Sequence, residues 1–161
     1  MHTSNDMVAD LGFLALGTRL KRLAEHLQAG VAETLSDRGY QVQPGQLPVL
    51  MAIAESNGPS VAELVNALGL TQPGISRTLA TLKQAGLVDI RADKNDGRAR
   101  RAYLTAKSAK LMNKLRAEVF GQVAAAAAEL CEGLDLLAIL DVVDDRNREL
   151  PFPERIQRAR A

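Results

Sequence analysis

Between residues 60 and 86 the chain must turn sharply within very few residues, and this restricts its fold more than any other feature. Ser60-Val61-Ala62-Glu63 is a capping box. The Ser60 hydroxyl can accept the amide three residues on, while Glu63 reaches back to the amide of Ser60. The helix so started carries Val61, Leu64, Val65 and Leu68 and stops at Gly69. Only Leu70 separates that glycine from Thr71, a fresh N-cap, with Pro73 in the next first turn where its missing N–H costs little. The second helix presents Ile75, Leu79 and Leu82 on one face and ends at Ala85-Gly86. Two short helices joined through Leu68-Gly69-Leu70 make a helix-turn-helix. Generic helical hairpins share this pattern, so it does not assign a role by itself.

The next segment narrows the reading. Leu87-Val88-Asp89-Ile90-Arg91 alternates like a strand, Asn95-Asp96-Gly97 is a turn signal, and Arg101-Ala102-Tyr103-Leu104 reads as the returning strand. A hairpin placed directly after the second helix makes the helix-turn-helix winged. Thr105 then caps a further helix.

Helices flank this module on both sides. Leu16, Leu20, Leu23, Leu27, Val31 and Leu35 fall on one face of a first helix that ends near Gly39. After Pro44, a second helix from Gly45 to Glu55 carries Leu47, Leu50, Met51 and Ile53, and Asn57-Gly58-Pro59 breaks it. Leu111, Leu115, Val119, Val123 and Leu130 outline a long helix from about residue 106 to 132. Within it, the small residues 124–128 would allow another backbone to approach. Beyond Gly133, the residues Leu134, Leu137, Leu140 and Val143 mark a last helix to about Glu149. Pro151 and Pro153 are expected to end regular structure, leaving a mobile basic tail. The expected fold is therefore mainly α with a small β-hairpin wing and about six helices. Residues 1–43 form an N-terminal dimerisation helix and 44–105 the winged helix-turn-helix. Residues 106–150 form C-terminal dimerisation helices, and 151–161 the tail.

Charge decides between a structural hairpin and a binding one. The 161 residues hold 20 Lys and Arg against 19 Asp and Glu, a formal net charge of +1, which does not suggest a polyanion binder. The charge is unevenly placed. Residues 71–110 contain nine bases (Arg77, Lys83, Arg91, Lys94, Arg98, Arg100, Arg101, Lys107, Lys110) and three acids (Asp89, Asp93, Asp96), a net of +6. The remainder holds 11 bases and 16 acids, a net of −5. A few arginines on a hairpin can merely guard an exposed edge. A localised positive field that matches the second helix and the wing is instead the electrostatic footprint of a duplex binder.

Other chemistries find little support. The single Cys131 excludes an intramolecular disulfide framework and cysteine clusters for metals, and it reads as a small core or interface residue rather than a redox switch. Aromatics are 3% with no Trp, which argues against base-stacking platforms. His26 lacks partners at ligand spacing and reads as surface or interface. No nucleophile elbow, P-loop or dinucleotide fingerprint occurs, so no enzyme and no cofactor is expected. The N-terminus carries acids rather than a basic leader and no run of apolar residues spans a bilayer, so no membrane association and a cytoplasmic location are expected.

At this point the chain resembles the MarR family of winged-helix transcriptional regulators over nearly its whole length. The resemblance rests on Pro44-Gly-Gln-Leu-Pro-Val-Leu50, Ser60-Val-Ala-Glu-Leu64, Leu70-Thr-Gln-Pro-Gly-Ile-Ser-Arg77 and Leu82-Lys-Gln-Ala-Gly-Leu-Val88. The wing Asp93-Lys-Asn-Asp-Gly-Arg98 leading to Leu104-Thr105 completes it. Lys94 stands where many members have proline. The resemblance implies a repressor that binds a pseudo-palindromic site on double-stranded DNA as a homodimer, with release by a small anionic or phenolic ligand.

The second helix then offers Thr71, Gln72, Pro73, Gly74, Ser76 and Arg77 to the major groove. Gln72 can read adenine and Arg77 guanine or phosphate. By the resemblance Arg98 enters a minor groove, positioned by Asp96, while Lys83, Lys94, Arg100, Arg101 and Ser60 contact phosphate. Leu16, Leu20, Leu23, Leu115, Val119, Val123, Leu137 and Leu140 are expected in the dimer interface. The alternative is a helical adaptor that uses a winged helix for protein contacts, which a flat salt dependence would reveal.

Overall fold

The computed structural model describes residues 6–93 and 100–160. The chain divides into two compact units, Met1–Phe120 and Gly121–Ala161.

In the first unit a short helix α1 (Met7–Asp10) and a 3-10 turn (Gly12–Ala15) precede the long helix α2 (Leu16–Asp37). The apolar periodicity begins only at Leu16, so residues 7–15 lie ahead of the face that the sequence marks. What fixes them is Asp6, which accepts the amide of Ala9 and binds Arg22 of α2 through both oxygens, at 3.0 and 2.8 Å. The Arg22 guanidinium holds the Asp6 carboxyl down at about 2.

A 3-10 turn (Pro44–Gln46) leads into α3 (Leu47–Ser56), followed by α4 (Val61–Leu68) and α5 (Gln72–Gln84). The hairpin pairs β1 (Val88–Ala92) with β2 (Arg100–Leu104), antiparallel, in the register Val88 opposite Leu104 and Ala92 opposite Arg100. Helix α6 (Ala106–Leu115) continues into a π-helical segment, Arg116–Phe120. The helix expected over residues 106–132 runs unbroken to Leu130, with this π-helical segment inside it.

Helix α3 is the hub, packing against α4, α5, α6 and β2. Its sequence explains this: Leu47, Val49, Leu50 and Ile53 occupy more than one face, and all four are buried. Around them close Leu35, Leu64, Ile75, Leu79, Leu82, Val88, Met112, Leu115 and Val119. Burying a side chain of this size contributes about 1.5–3 kcal/mol relative to leaving it in water. Ser108 is a buried polar residue, and it is satisfied locally: its hydroxyl donates to the Thr105 carbonyl at 3.0 Å.

Two expected interface residues are corrected here. Leu115 and Val119 are wholly buried within the protomer. A leucine stripe looks the same whether its own chain or a second copy covers it. Here the covering atoms come from the same chain.

The second unit comprises α7 (Gly121–Leu130), α8 (Leu136–Glu149) and α9 (Phe152–Arg158), none of which has a buried residue. Helix α9 corrects the expectation that Pro151 and Pro153 end regular structure. Pro151 is the N-cap and Pro153 lies in the first turn, positions whose N–H groups have no helical partner in any case. The Asn147 side chain accepts the Phe152 amide at 3.1 Å, and Arg155 Nε donates to the Leu150 carbonyl at 2.9 Å. With these short helices, the described residues hold more helices than the six expected.

Candidate nucleic-acid interface

Both helix starts in the bihelical unit are built as the sequence predicts. The Ser60 hydroxyl accepts the Glu63 amide at 3.2 Å, and the Glu63 carboxylate accepts the Ser60 amide at 2.6 Å. That amide bond holds the Glu63 carboxyl below the usual range. Gly69 closes α4 at φ +62°, a left-handed conformation that glycine adopts without a Cβ penalty. Thr71 Oγ1 then accepts the Gly74 amide at 3.3 Å to open α5. A Cβ on Gly74 would sit 3.1 Å from that same oxygen, so a glycine here keeps the cap unstrained.

Helix α5 is anchored on one side and open on the other. Ile75, Leu79 and Leu82 are buried, whereas Thr71, Gln72, Pro73, Ser76 and Arg77 are exposed and Gly74 is half-buried. Neither Gln72 nor Arg77 spends its side chain on a hydrogen bond or ion pair among the described residues. The C-terminus of α5 is pinned by three bonds. Lys107 Nζ donates to the Ala85 carbonyl at 2.9 Å, the Thr105 hydroxyl to Gly86 O at 2.9 Å, and the Leu87 amide to Leu82 O at 2.9 Å. Lys83 is exposed in the last turn, where a cation also complements the helix dipole.

The wing is joined to the turn that precedes α4. The Ala102 amide donates to the Pro59 carbonyl at 2.9 Å, and Ser60 bridges to Arg101. Arg101 is where the structure differs most from the expectation of a phosphate contact. Its Nε donates to the Asp93 carboxylate, and its NH1 donates to Gly58 O at 2.8 Å and lies 3.4 Å from Glu63. Asp93 holds the guanidinium firmly in its charged form. Arg101 therefore ties the wing to the α4 cap, and a basic residue on a strand gave no sign of whether its charge faced outward. Asp93, at the start of the wing motif, is the partner that turns it inward.

Arg91 pairs with Asp89 at 2.9 Å and lies over the Tyr103 ring at 4.9 Å. Arg100 is exposed. Lys94, Asp96 and Arg98 lie outside the described residues.

The remaining expected interface residues stand apart from this site. On α2, Leu16, Leu20 and Leu23 are 42–47% exposed. With Arg19, Arg22 and His26 they line a groove of about 560 Å³. In the second unit Leu137 and Leu140 are exposed, and Val123 and Cys131 are half-buried. Among the described residues no cluster of His, Cys, Asp or Glu could hold a metal, and no helix is long and apolar enough to cross a membrane.

An outward-facing second helix, a tight glycine turn and a hairpin fastened to the first helix's cap define a winged helix-turn-helix module. Residues 40–99 match the model of the MarR family. The chain is 30% identical over 120 residues to the HTH-type transcriptional regulator PetP of Rhodobacter capsulatus, covering 67% of this chain and 72% of that protein. It belongs to the MarR family of transcriptional regulators.

Solved structures share the fold. A mutant MarR from E. coli complexed with operator DNA matches 91% of this chain and all of its own, with TM-score 0.67 and 20% identity. BpsR of Bordetella bronchiseptica, whose DNA binding is regulated by 6-hydroxynicotinic acid, matches 82% of this chain and 92% of its own, with TM-score 0.65 and 21% identity. PcaV of Streptomyces coelicolor, in complex with its natural ligand, matches 93% of this chain and 99% of its own, with TM-score 0.67 and 18% identity.

Proposed function

We propose that this regulator is a repressor that binds a pseudo-palindromic operator as a homodimer and leaves it when a small ligand binds. The observation that carries the DNA reading is the first turn of α5. Gln72, Ser76 and Arg77 stand exposed and uncommitted on a helix whose opposite face and C-terminus are both locked. A side chain with no partner in its own fold keeps its full hydrogen-bonding capacity for a base edge or phosphate. Gln72 reads adenine, and Arg77 reads guanine or grips phosphate. Thr71, Pro73 and Gly74 line the approach, and Ser60, Lys83 and Arg100 face the backbone. Lys94, Asp96 and Arg98 act at the wing tip, with Arg98 in the minor groove as the family resemblance implies.

The homodimer reading is supported by apolar surface that one chain leaves in water. Leu16, Leu20, Leu23 and Leu27 are each 42–47% exposed along α2, and Leu137 is 77% exposed on α8. Patches of this extent mark contact surfaces on soluble proteins. A twofold axis beside the α2 face would set two copies of α5 about one turn of DNA apart. The ligand is a small anionic or phenolic molecule. BpsR and PcaV lend this reading support.

The test is equilibrium binding to duplex DNA by fluorescence anisotropy between 50 and 200 mM salt. A steep fall in affinity, about 10³-fold or more for six or more phosphate contacts, is expected. A flat response would instead favour a winged helix used for protein contacts.

A further inference from the structure

A second pocket lies between the end of α2, the end of α5 and the outer face of α6, with a volume of about 790 Å³. Its chemistry is lopsided. Lys107, Lys110 and Lys114 recur at three- and four-residue spacing and so share one helical face, where like charges repel. Arg38, at the end of α2, also lines the pocket. The one carboxylate in the lining, Glu118, already accepts the Tyr40 hydroxyl, and its carbonyl accepts Arg38. Lys110 and Lys114 are exposed and make no ion pair or hydrogen bond among the described residues. Leu87 and Leu111 supply apolar lining between the charges.

We propose that this pocket binds a small organic molecule bearing a phosphate group, and that its occupancy acts on the recognition helix. The volume falls within the range of roughly 300–1,000 Å³ that small-molecule sites occupy. The charge selects the headgroup. A phosphate monoester carries nearly two negative charges at neutral pH and so matches several cations at once, whereas a single carboxylate leaves most of them unbalanced. The donors select it too, because lysines bind phosphate as point charges, while the planar fork suited to a carboxylate belongs to Arg38, which is already engaged. The organic remainder packs on Leu87 and Leu111.

The link to α5 is Lys107. It lines the pocket and also donates to Ala85 O at the C-cap of α5. A phosphate that draws Lys107 toward itself removes one of the three bonds holding that helix end. This regulatory half rests on the DNA reading, whereas the binding half does not.

The test uses inorganic pyrophosphate as the probe and the full chain without DNA, at constant ionic strength, by isothermal titration calorimetry. Saturable binding at one site per chain is expected. In the Lys110→Ala/Lys114→Ala variant it should weaken by about tenfold or more, and in the Lys110→Arg/Lys114→Arg variant it should be largely restored. Equal binding in wild type and the alanine variant, or none in either, would overturn the site. Citrate binding as tightly as pyrophosphate would overturn the phosphate assignment.

Anisotropy with an operator duplex then reads the coupling. Pyrophosphate should shift DNA affinity in wild type but not in the alanine variant, and an equal shift in both would overturn the coupling. If the alanine variant loses DNA affinity and wild type binds no pyrophosphate, the lysines are DNA contacts and the proposal fails. If pyrophosphate binds while Gln72 and Arg77 prove irrelevant to DNA, the DNA reading fails and the site stands.

Discussion

Replacing Gly58 by alanine should damage both the stability of the first unit and the seating of the wing. Gly58 adopts φ +102°, and a Cβ built there lies 2.4 Å from Cε1 and 2.6 Å from Cζ of Tyr103. Two separate costs arise. Holding a residue with a side chain at positive φ costs about 1–2 kcal/mol, and forcing an extra methyl into a filled site costs about 1–3 kcal/mol. Their sum is about 2–5 kcal/mol, a large part of the stability of a domain this size. The lower end applies if the Tyr103 ring swings aside, which would still lose its contact with Arg91 at 4.9 Å. Gly69 isolates the first cost, because it has φ +62° with nothing within 4 Å of the added carbon. Gly69→Ala should therefore lose only about 1–2 kcal/mol.

The assay is urea unfolding at fixed protein concentration, since the proposed homodimer would make stability depend on it. A double-mutant cycle with Tyr103→Leu isolates the clash. In the Tyr103→Leu background, Gly58→Ala should cost clearly less than in the wild type, leaving the backbone strain at φ +102°. If Gly58→Ala costs the same in both backgrounds, or less than about 1 kcal/mol in the wild type, the argued packing of Tyr103 on the α3–α4 turn is wrong.

Other consequences follow from the same contacts. Asp6 is held at about 2 against an ordinary value of 3.8, so its pairing with Arg22 contributes stability above the unfolded value. The stability difference between wild type and Asp6→Asn should be full above about pH 4 and vanish as the pH falls toward 2, read by thermal unfolding. Arg101→Ala should speed amide hydrogen exchange at Ala102, whose bond to Pro59 it flanks, whereas Arg100→Ala should leave that exchange unchanged. Arg77→Ala should weaken duplex binding by about 1–3 kcal/mol with thermal stability unaltered. If the proposed homodimer forms through this face, Leu20→Glu with Leu23→Glu should leave the chain monomeric in sedimentation where wild type is dimeric, since each leucine is about half exposed and has about 1 kcal/mol of burial left to gain from a partner.

The parts of this molecule written in local chemistry were legible in the sequence. The Ser60–Glu63 box, the Gly69 turn and the Thr71 cap depend on residues three or four apart, and each forms the bond its spacing implies. Contacts between distant residues were not legible. Nothing local marks Arg101 as the partner of Asp93 and Gly58, or Leu115 and Val119 as protomer core instead of interface. Pro151 and Pro153 misled for a related reason. Proline both stops helices and starts them, and the side-chain bonds from Asn147 and Arg155 that favour a start span five residues. The lysine pocket was half visible: the spacing of Lys107, Lys110 and Lys114 lay in plain view, but the wall supplied by Arg38 and Tyr40 comes from about 70 residues earlier in the chain.

The central claim is that exposed residues at the start of α5 read DNA in a twofold-symmetric pair. Selection of bound duplexes from a random pool tests this most directly. The account predicts enrichment of one inverted repeat whose half-sites lie about one helical turn apart, lost on Gln72→Ala with Arg77→Ala. Recovery of no enriched sequence, or of a single half-site without symmetry, would contradict it.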